Sequence, residues 1–598
     1  MKENIKNIKK KIQYFYSKND FFSVEKYIKQ NVKNFNNSDE ILVQLGLALA
    51  CQSKLDEAKQ YLTKAISLNQ GNVDAYYNLA KVYELNKEEK EAVILYKKVI
   101  RLDPNYINAF LNLAMVAYEK KKINLAILII KKGLKLNSNS YELYNNLGQI
   151  YHSLFNYEKA EVCYRKSLKF KPQDVNILNN LISNLFKTKK YYEAKILIDT
   201  TLLINPNEVV TKYHYGYFYQ KTHNFIKAIE IYENILSKTK NFGLVYGSLG
   251  LCYFEVRRFD DAKRIFRISE DFYEKSGDLI SLRDVFLNSS YLELINYKFK
   301  SSAKLYEYRW SMEEDVKKKY EYNYWDGSYC SHLVVWSEQG VGDHIFFGGL
   351  LDKLIHLAKK ITFEVDKRLV NLFDNYFKSK KINNIKVVDL NTNFERFEEE
   401  KKFIPLASLP SIILKDSEDW SISTPFLISE KVLTKDFIAN SYKPKIGISW
   451  KSFNPNEQYR SINFIDLINV IKRFDCEIYN LQFGDIELEY KATKEKKINF
   501  IYDISLDYKN NINEVSSIIN KMDFVITVQN TIAHLSCALG KKTIVLLPLN
   551  GRWQWGDEKD KCKWYPTSKL IRSKYINNWK DVFDKLKLYL QENLKDKC

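Results

Sequence analysis

The sequence predicts an α-solenoid followed by a two-lobed α/β domain, and three observations carry that reading. Alanine recurs every 34 residues in seven copies, at positions 58, 92, 126, 160, 194, 228 and 262. Beyond residue 331 the helical period gives way to short apolar runs alternating with helical patterns, the arrangement of parallel sheets with crossover helices. Between the two lies HLVVWSEQGVGDHIFFGGLLDKL, residues 332–354, which reads as a buried strand, a glycine loop (Gln339, Gly340, Gly342) and a helix opening at Asp343.

The periodic part spans residues 39–276. Around the alanines recur Leu45-Gly46, Leu79-Ala80, Leu113-Ala114, Leu147-Gly148 and Leu249-Gly250, with Tyr83, Tyr151, Tyr219 and Tyr253 and the repeat-end prolines Pro104, Pro172 and Pro206. These residue types at these offsets resemble the tetratricopeptide repeat. Small residues let paired helices approach, aromatics fill the space between repeats, and proline ends the second helix. Residues 1–38 form a degenerate capping repeat with Val24 at the alanine position, and residues 277–330 a second degenerate repeat and linker, with the small Ser302 before Tyr306. A stacked array presents a groove of first helices, and at one position of that face stand Asn78, Asn112, Asn146 and Asn180. A row of carboxamides can hold an extended peptide backbone, since each offers one donor and one acceptor; asparagine is also common there whatever the ligand.

Composition narrows the class. No apolar run approaches the roughly 18 residues of a membrane span, and the Lys-rich start lacks the apolar core of a signal peptide, so a cytoplasmic protein is expected. The eight cysteines stand singly with no C-x-x-C pair, which disfavours a disulfide framework or structural zinc. A net charge of +20 admits a nucleic-acid partner. The lysines, however, are scattered and the expected groove carries amides and aromatics, so no nucleic acid is expected.

In the second part the expected strands are 333–336, 361–365 and 385–388, then, after a looser segment (391–442), 446–450, 478–483, 524–528 and 543–547. Two Rossmann-like lobes, 331–440 and 441–598, would face each other across a cleft, with an amphipathic helix after Trp579 closing the chain. Gly340-Val341-Gly342 lacks the third glycine of the dinucleotide fingerprint, and no P-loop, H-E-x-x-H or G-x-S-x-G motif occurs.

EQGVGDHIFF, IGISWKS, RSI, NLQFGD, ITVQNTIAHLSCALGKKTIVLLP and WYPTSKLIRS resemble, in that order, the carboxyl-terminal domain of bacterial tetratricopeptide-fused glycosyltransferases. That domain is similar to the heptosyltransferases of the GT-B fold, and the layout is similar to O-GlcNAc transferase and the repeat-bearing flagellin glycosyltransferases. The resemblance implies transfer of a sugar from a nucleotide-sugar co-substrate, with no other cofactor and no metal, to a protein or peptide held by the repeats. It implies Asp343 as general base; a carboxylate at that place can take the proton of an attacking hydroxyl, though aspartate also caps helices well. For the donor it implies Lys451, Ser452, Arg460, Ser461, Gln482, Asn530, Thr531 and His534. A helix amino terminus at 530–531 offers N–H groups to a diphosphate, cations offset the leaving charge, and Gln482 would read base or ribose or hold a strand end. Many relatives carry aspartate at Gln529 and arginine at Gln554. Those departures keep an alternative open, a non-catalytic repeat adaptor with a degenerate transferase domain. The Trp553, Trp555, Trp564 and Tyr565 cluster would stack on a ligand or pack as an aromatic core.

Overall fold

The computed structural model describes residues 5–31, 38–239, 242–310, 323–391, 401–414, 422–430, 442–452 and 458–594. The chain falls into two compact units, residues 1–218 and 219–598.

The first unit is built of antiparallel helix pairs, among them Val73–Leu85 with Glu89–Leu102 and Tyr141–Ser153 with Tyr157–Phe170. Their starts are written in the sequence: Asn72, Ser140 and Asp174 accept the backbone N–H of Ala75, Leu143 and Ile177, the orphan donors of a first turn. Each pair turns on one left-handed residue. Asn19, Ser53, Lys87, Lys121, Phe155 and Lys189 have φ between 53° and 61°, again at the 34-residue period. None is glycine, so each costs ~1–2 kcal/mol locally, and the packing that the turn permits offsets it. The periodic alanines are fully buried. A Cβ on Gly148 would lie 2.6 Å from the Tyr164 ring, so the small residue sets how closely the paired helices approach.

The second unit begins with Tyr219, inside the helix Val209–Lys221, and carries the last repeats together with the α/β part. The compact units therefore do not divide at 276, where the repeat pattern ends. The reason lies in the turns. His223 and Arg257 hold the same left-handed position, and Tyr297 holds it in the final pair, Leu279–Leu294 with Phe299–Tyr306. All three turn residues pack on the α/β part: the His223 ring meets Tyr459 at 4.3 Å, Arg257 pairs with Asp557, and the Tyr297 hydroxyl donates to the Gln554 carbonyl at 2.8 Å.

Among the described residues ten strands form two parallel sheets: β1 (Cys330–Trp336), β2 (Ala358–Val365), β3 (Ile385–Asp389) and β4 (Lys401–Pro405) in the order 3-2-1-4, and β5 (Lys445–Ser449), β6 (Glu477–Asn480), β7 (Phe500–Ile501), β8 (Phe524–Val528), β9 (Thr543–Leu547) and β10 (Ser568–Arg572) in the order 10-9-8-5-6-7. β1 and β8 are central and read as continuous apolar runs, as strands buried on both faces do. Three strands went unforeseen. β4 pairs with β1 out of the segment expected to be looser, where its lysine start masks the apolar run. β7 has two residues, and β10 shows only a weak alternation. The closing helix Lys580–Asn593 buries Val582, Leu586 and Leu590 against the six-stranded sheet. The expected lobe boundary at 440/441 and Cys598 lie outside the described residues. Among those described no helix is long and apolar enough to cross a membrane.

Candidate functional site

A cavity of about 770 Å³ opens where the carboxyl ends of β1, β5, β8 and β9 meet, the place where parallel sheets carry their ligands. Two helices, Val341–Gly348 after β1 and Thr531–Ala538 after β8, point their amino termini at it. A Cβ on Gly342 would stand 3.2 Å from the His534 ring and 3.9 Å from the Thr531 Cα. Glycine here lets the two termini converge, so two sets of unsatisfied N–H groups face one space.

The helix starts at Val341, two residues before the expected start, so Asp343 lies at its third position, and it caps: its Oδ2 accepts the Gly340 N–H at 3.2 Å. Its Oδ1 accepts the Gln554 Nε2 at 3.0 Å. The carboxylate is buried at 8% exposure on the cavity wall. The cap and a place at the cavity thus coexist.

Gln339, Gly340, Gly342, Ser452, Arg460, Asn530, Thr531 and His534 line the same cavity. Asn530 is a hub: its Oδ1 accepts the Ala533 N–H, and its amide donates to Ser449 Oγ at 2.8 Å, tying the β8 helix to β5. His534 has Nδ1 against the Tyr565 hydroxyl at 3.1 Å and its ring stacked on Trp555. Burial drives its pKa down to about 3, so the ring is neutral.

Three expected donor residues stand elsewhere. Lys451 pairs with Glu489 and does not line the cavity. The Ser461 hydroxyl accepts the Ser452 N–H at 2.9 Å and shapes the loop from behind. Gln482, 1% exposed, spends its Oε1 on Ser449 Oγ and the N–H groups of Trp450 and Lys451, and its amide on the Phe483 carbonyl. It closes the end of β5 and has no edge left for a base. The aromatic cluster is core: Trp555, Trp564 and Tyr565 are fully buried, and Trp564 stacks on Phe346 at 4.0 Å; of the four only Trp553 reaches the cavity.

Sequence reasoning missed the contribution of the last helix pair. Tyr306 and Arg309 line the cavity. The Tyr306 hydroxyl accepts from Gln339 Nε2 at 3.1 Å, and Arg309 Nη2 donates to Glu338 Oε1 at 3.1 Å. The Glu338 side chain is 6% exposed, and desolvation pushes its carboxyl up to about 7 against the pull of Arg309. The signal was present in the glycine loop, where Glu338 is a charge between an apolar strand and a turn. Arg552, Asn550 and Gly551, after β9, complete the wall. Buried polar atoms without a partner on this wall include Glu338 Oε2, Gln529 Nε2, Asn550 Oδ1 and Gln554 Oε1. Native interiors rarely tolerate such groups, and their gathering at one cavity marks a polar ligand site. Among the described residues no His, Cys, Asp or Glu cluster stands ready to hold a metal ion.

In the first unit the four groove asparagines are half-buried and do not form a uniform ladder. Asn78 and Asn146 donate to the carbonyls of Asp74 and Glu142 one turn back. Asn112 donates to the Tyr77 and Tyr96 hydroxyls, and Asn180 to Asn145 Oδ1. Their N–H groups thus serve their own helix or a neighbouring side chain.

Residues 25–212 match the family model described as the Tetratricopeptide repeat protein 21 C-terminal ARM domain. The amino-terminal array is a tetratricopeptide-type repeat domain. Protein FlbA of Caulobacter vibrioides is 21% identical over 280 residues, 44% of this chain and 46% of its own length, so the chain spans about half the length of that relative. Among solved structures, a tetratricopeptide repeat protein from Parabacteroides merdae is 19% identical, with a TM-score of 0.33 over 41% of this chain and 98% of its own. Pseudomonas aeruginosa PilF is 19% identical, with a TM-score of 0.30 over 33% and 90%.

Proposed function

We propose that the chain is a glycosyltransferase, moving a sugar from a nucleotide-sugar donor to an acceptor that the tetratricopeptide-type repeats recruit. The carrying observation is the cavity between the two parallel sheets, where two helix amino termini converge and one of them carries the Asp343 carboxylate. A nucleoside diphosphate fits the far wall: the N–H groups at Thr531, the Arg460 and Arg552 side chains and the amide of Gln529 all favour anionic oxygens. Donors held in place stabilise charge as it develops on a leaving diphosphate. The acceptor hydroxyl would approach from the β1 side, its proton passing to Asp343 as its oxygen bonds the anomeric carbon and the bond to the diphosphate breaks.

The departures fit this reading. Gln554 donates a neutral hydrogen bond to Asp343, which orients the carboxylate while depressing its basicity less than a guanidinium would. The reading is tested by incubating the full chain with UDP-, GDP-, ADP- and CMP-linked sugars and following nucleotide release. Release with one donor that falls at least a hundredfold in Asp343→Asn supports it. No release and no binding with any donor rejects it in favour of an adaptor.

A further inference from the structure

Two carboxyls on the cavity wall, Glu255 and Glu338, have no task in the transferase scheme; Glu255 accepts from Asn550 Nδ2 at 3.4 Å, and Glu338 is the one held beside Asp343's own loop. It sits at the carboxyl end of β1, five residues before Asp343, and lines the same cavity. Its Oε1 is held twice, by Arg309 Nη2 and by the Ala407 N–H, both at 3.1 Å. Arg309 is itself fixed by Glu307 at 2.8 Å and Ser408 Oγ at 2.6 Å. The other oxygen, Oε2, is buried with no partner. A structural ion pair would use both carboxylate oxygens, since an unmade hydrogen bond to a buried charge costs more than the pair returns. A clamp that immobilises one oxygen and leaves the other empty is the arrangement of a group waiting for a donor.

We propose that Glu338 is a substrate-contacting carboxyl, its Oε2 accepting a hydrogen bond from a hydroxyl of the transferred sugar or of the acceptor, with Arg309 as its positioning residue. This rests on the transferase reading and gives the terminal repeat a part in substrate recognition, because Arg309 comes from the turn that ends the array. The charged and titratable groups facing Glu338 are Arg309 and Glu307 from that turn, Tyr324 from the segment before β1, and the His344 ring, which meets its backbone. The carboxyl titrates near 7, and its ionised form is the stronger acceptor.

The test is the pH dependence of KM and kcat in the full chain, with the nucleotide sugar that the wild type turns over, first with water as acceptor and then with the protein acceptor. The wild-type KM is expected to rise as pH falls through 7; Glu338→Gln is expected to raise that KM about tenfold at pH 8, with kcat changed far less, and to flatten this rise. A change already present with water assigns the hydroxyl to the sugar; a change confined to protein transfer assigns it to the acceptor. Because Glu338→Gln leaves Arg309 paired with Glu307 alone, the double variant Glu338→Gln/Arg309→Met, which restores the net charge that the group of three has with Glu338 ionised, separates the loss of the acceptor from a change of charge, and it is expected to show the same raised KM. Unaltered KM values and pH profiles in both variants, with an active wild type, overturn the inference alone. A wild type that turns over no donor overturns the transferase reading, and this inference with it.

Discussion

Gln554 Nε2 lies 3.0 Å from Asp343 Oδ1, joining the turn after β9 to the helix after β1 across the two sheets. The Tyr297 hydroxyl holds the Gln554 carbonyl from the turn of the last helix pair. The carboxylate is therefore placed by a relay that starts in the repeat array. Replacing Gln554 with arginine would put a cation beside Asp343 and lower its pKa. Gln554→Arg is expected to shift the acid limb of the transfer rate to lower pH and to reduce the rate on the plateau about tenfold, as the base weakens. An unshifted limb would remove Asp343 from the base role.

The cations near the cavity are not equivalent. Arg460 lines it, whereas Lys451 is engaged with Glu489 outside it. Arg460→Ala is expected to weaken binding of a nucleoside diphosphate about ten- to a hundredfold, by loss of a charge-assisted contact, and Lys451→Ala by less than threefold. Calorimetric titration of both variants with UDP and GDP checks this, and the reverse order would contradict the site described.

Much of this was legible because repetition is loud. Seven alanines at one spacing announce helix pairs, and apolar runs bounded by glycine announce buried strands. The site was legible where chemistry and local structure coincide, as in Gly342, Asp343 and Asn530. It was not legible where the deciding partner is distant in sequence. Nothing around Gln482 shows that its carboxamide closes the end of β5, nothing near Lys451 shows Glu489 taking it, and Arg309 looks like part of a linker until it meets Glu338.

Gly148 has no room for a side chain, since a Cβ would fall 2.6 Å from the Tyr164 ring. Gly148→Val is expected to destabilise by ~1–3 kcal/mol through overpacking, whereas Gly148→Val/Tyr164→Leu is expected to recover part of the loss. Thermal unfolding of the full chain measures both. An unchanged melting temperature in the single variant would show that the helices are not in such close contact.

Two buried groups give opposite pH signatures. Burial drives the His214 ring down to about 4, below the ~6.5 of an unfolded histidine. The unfolded chain then binds a proton that the folded one refuses, so this contribution to stability is complete above 6.5 and is lost as pH falls toward 4. Burial raises the Glu364 carboxyl on β2 to about 7, above the ~4.3 of an unfolded glutamate. Its contribution is present at low pH and is lost as pH rises through 7. His214→Leu is expected to gain on the wild type at pH 5, and Glu364→Gln at pH 8. Denaturant midpoints at the two pH values decide the matter, and equal shifts at both would contradict the burial of these groups.

The most direct measurement is nucleotide release and sugar transfer by the full chain with a panel of UDP-, GDP-, ADP- and CMP-linked sugars, comparing wild type with Asp343→Asn. The expected result is turnover with a preferred donor, reduced at least a hundredfold in Asp343→Asn while donor affinity stays within threefold. Turnover that survives intact in Asp343→Asn, or a wild type that neither binds nor releases any nucleotide, would contradict the account.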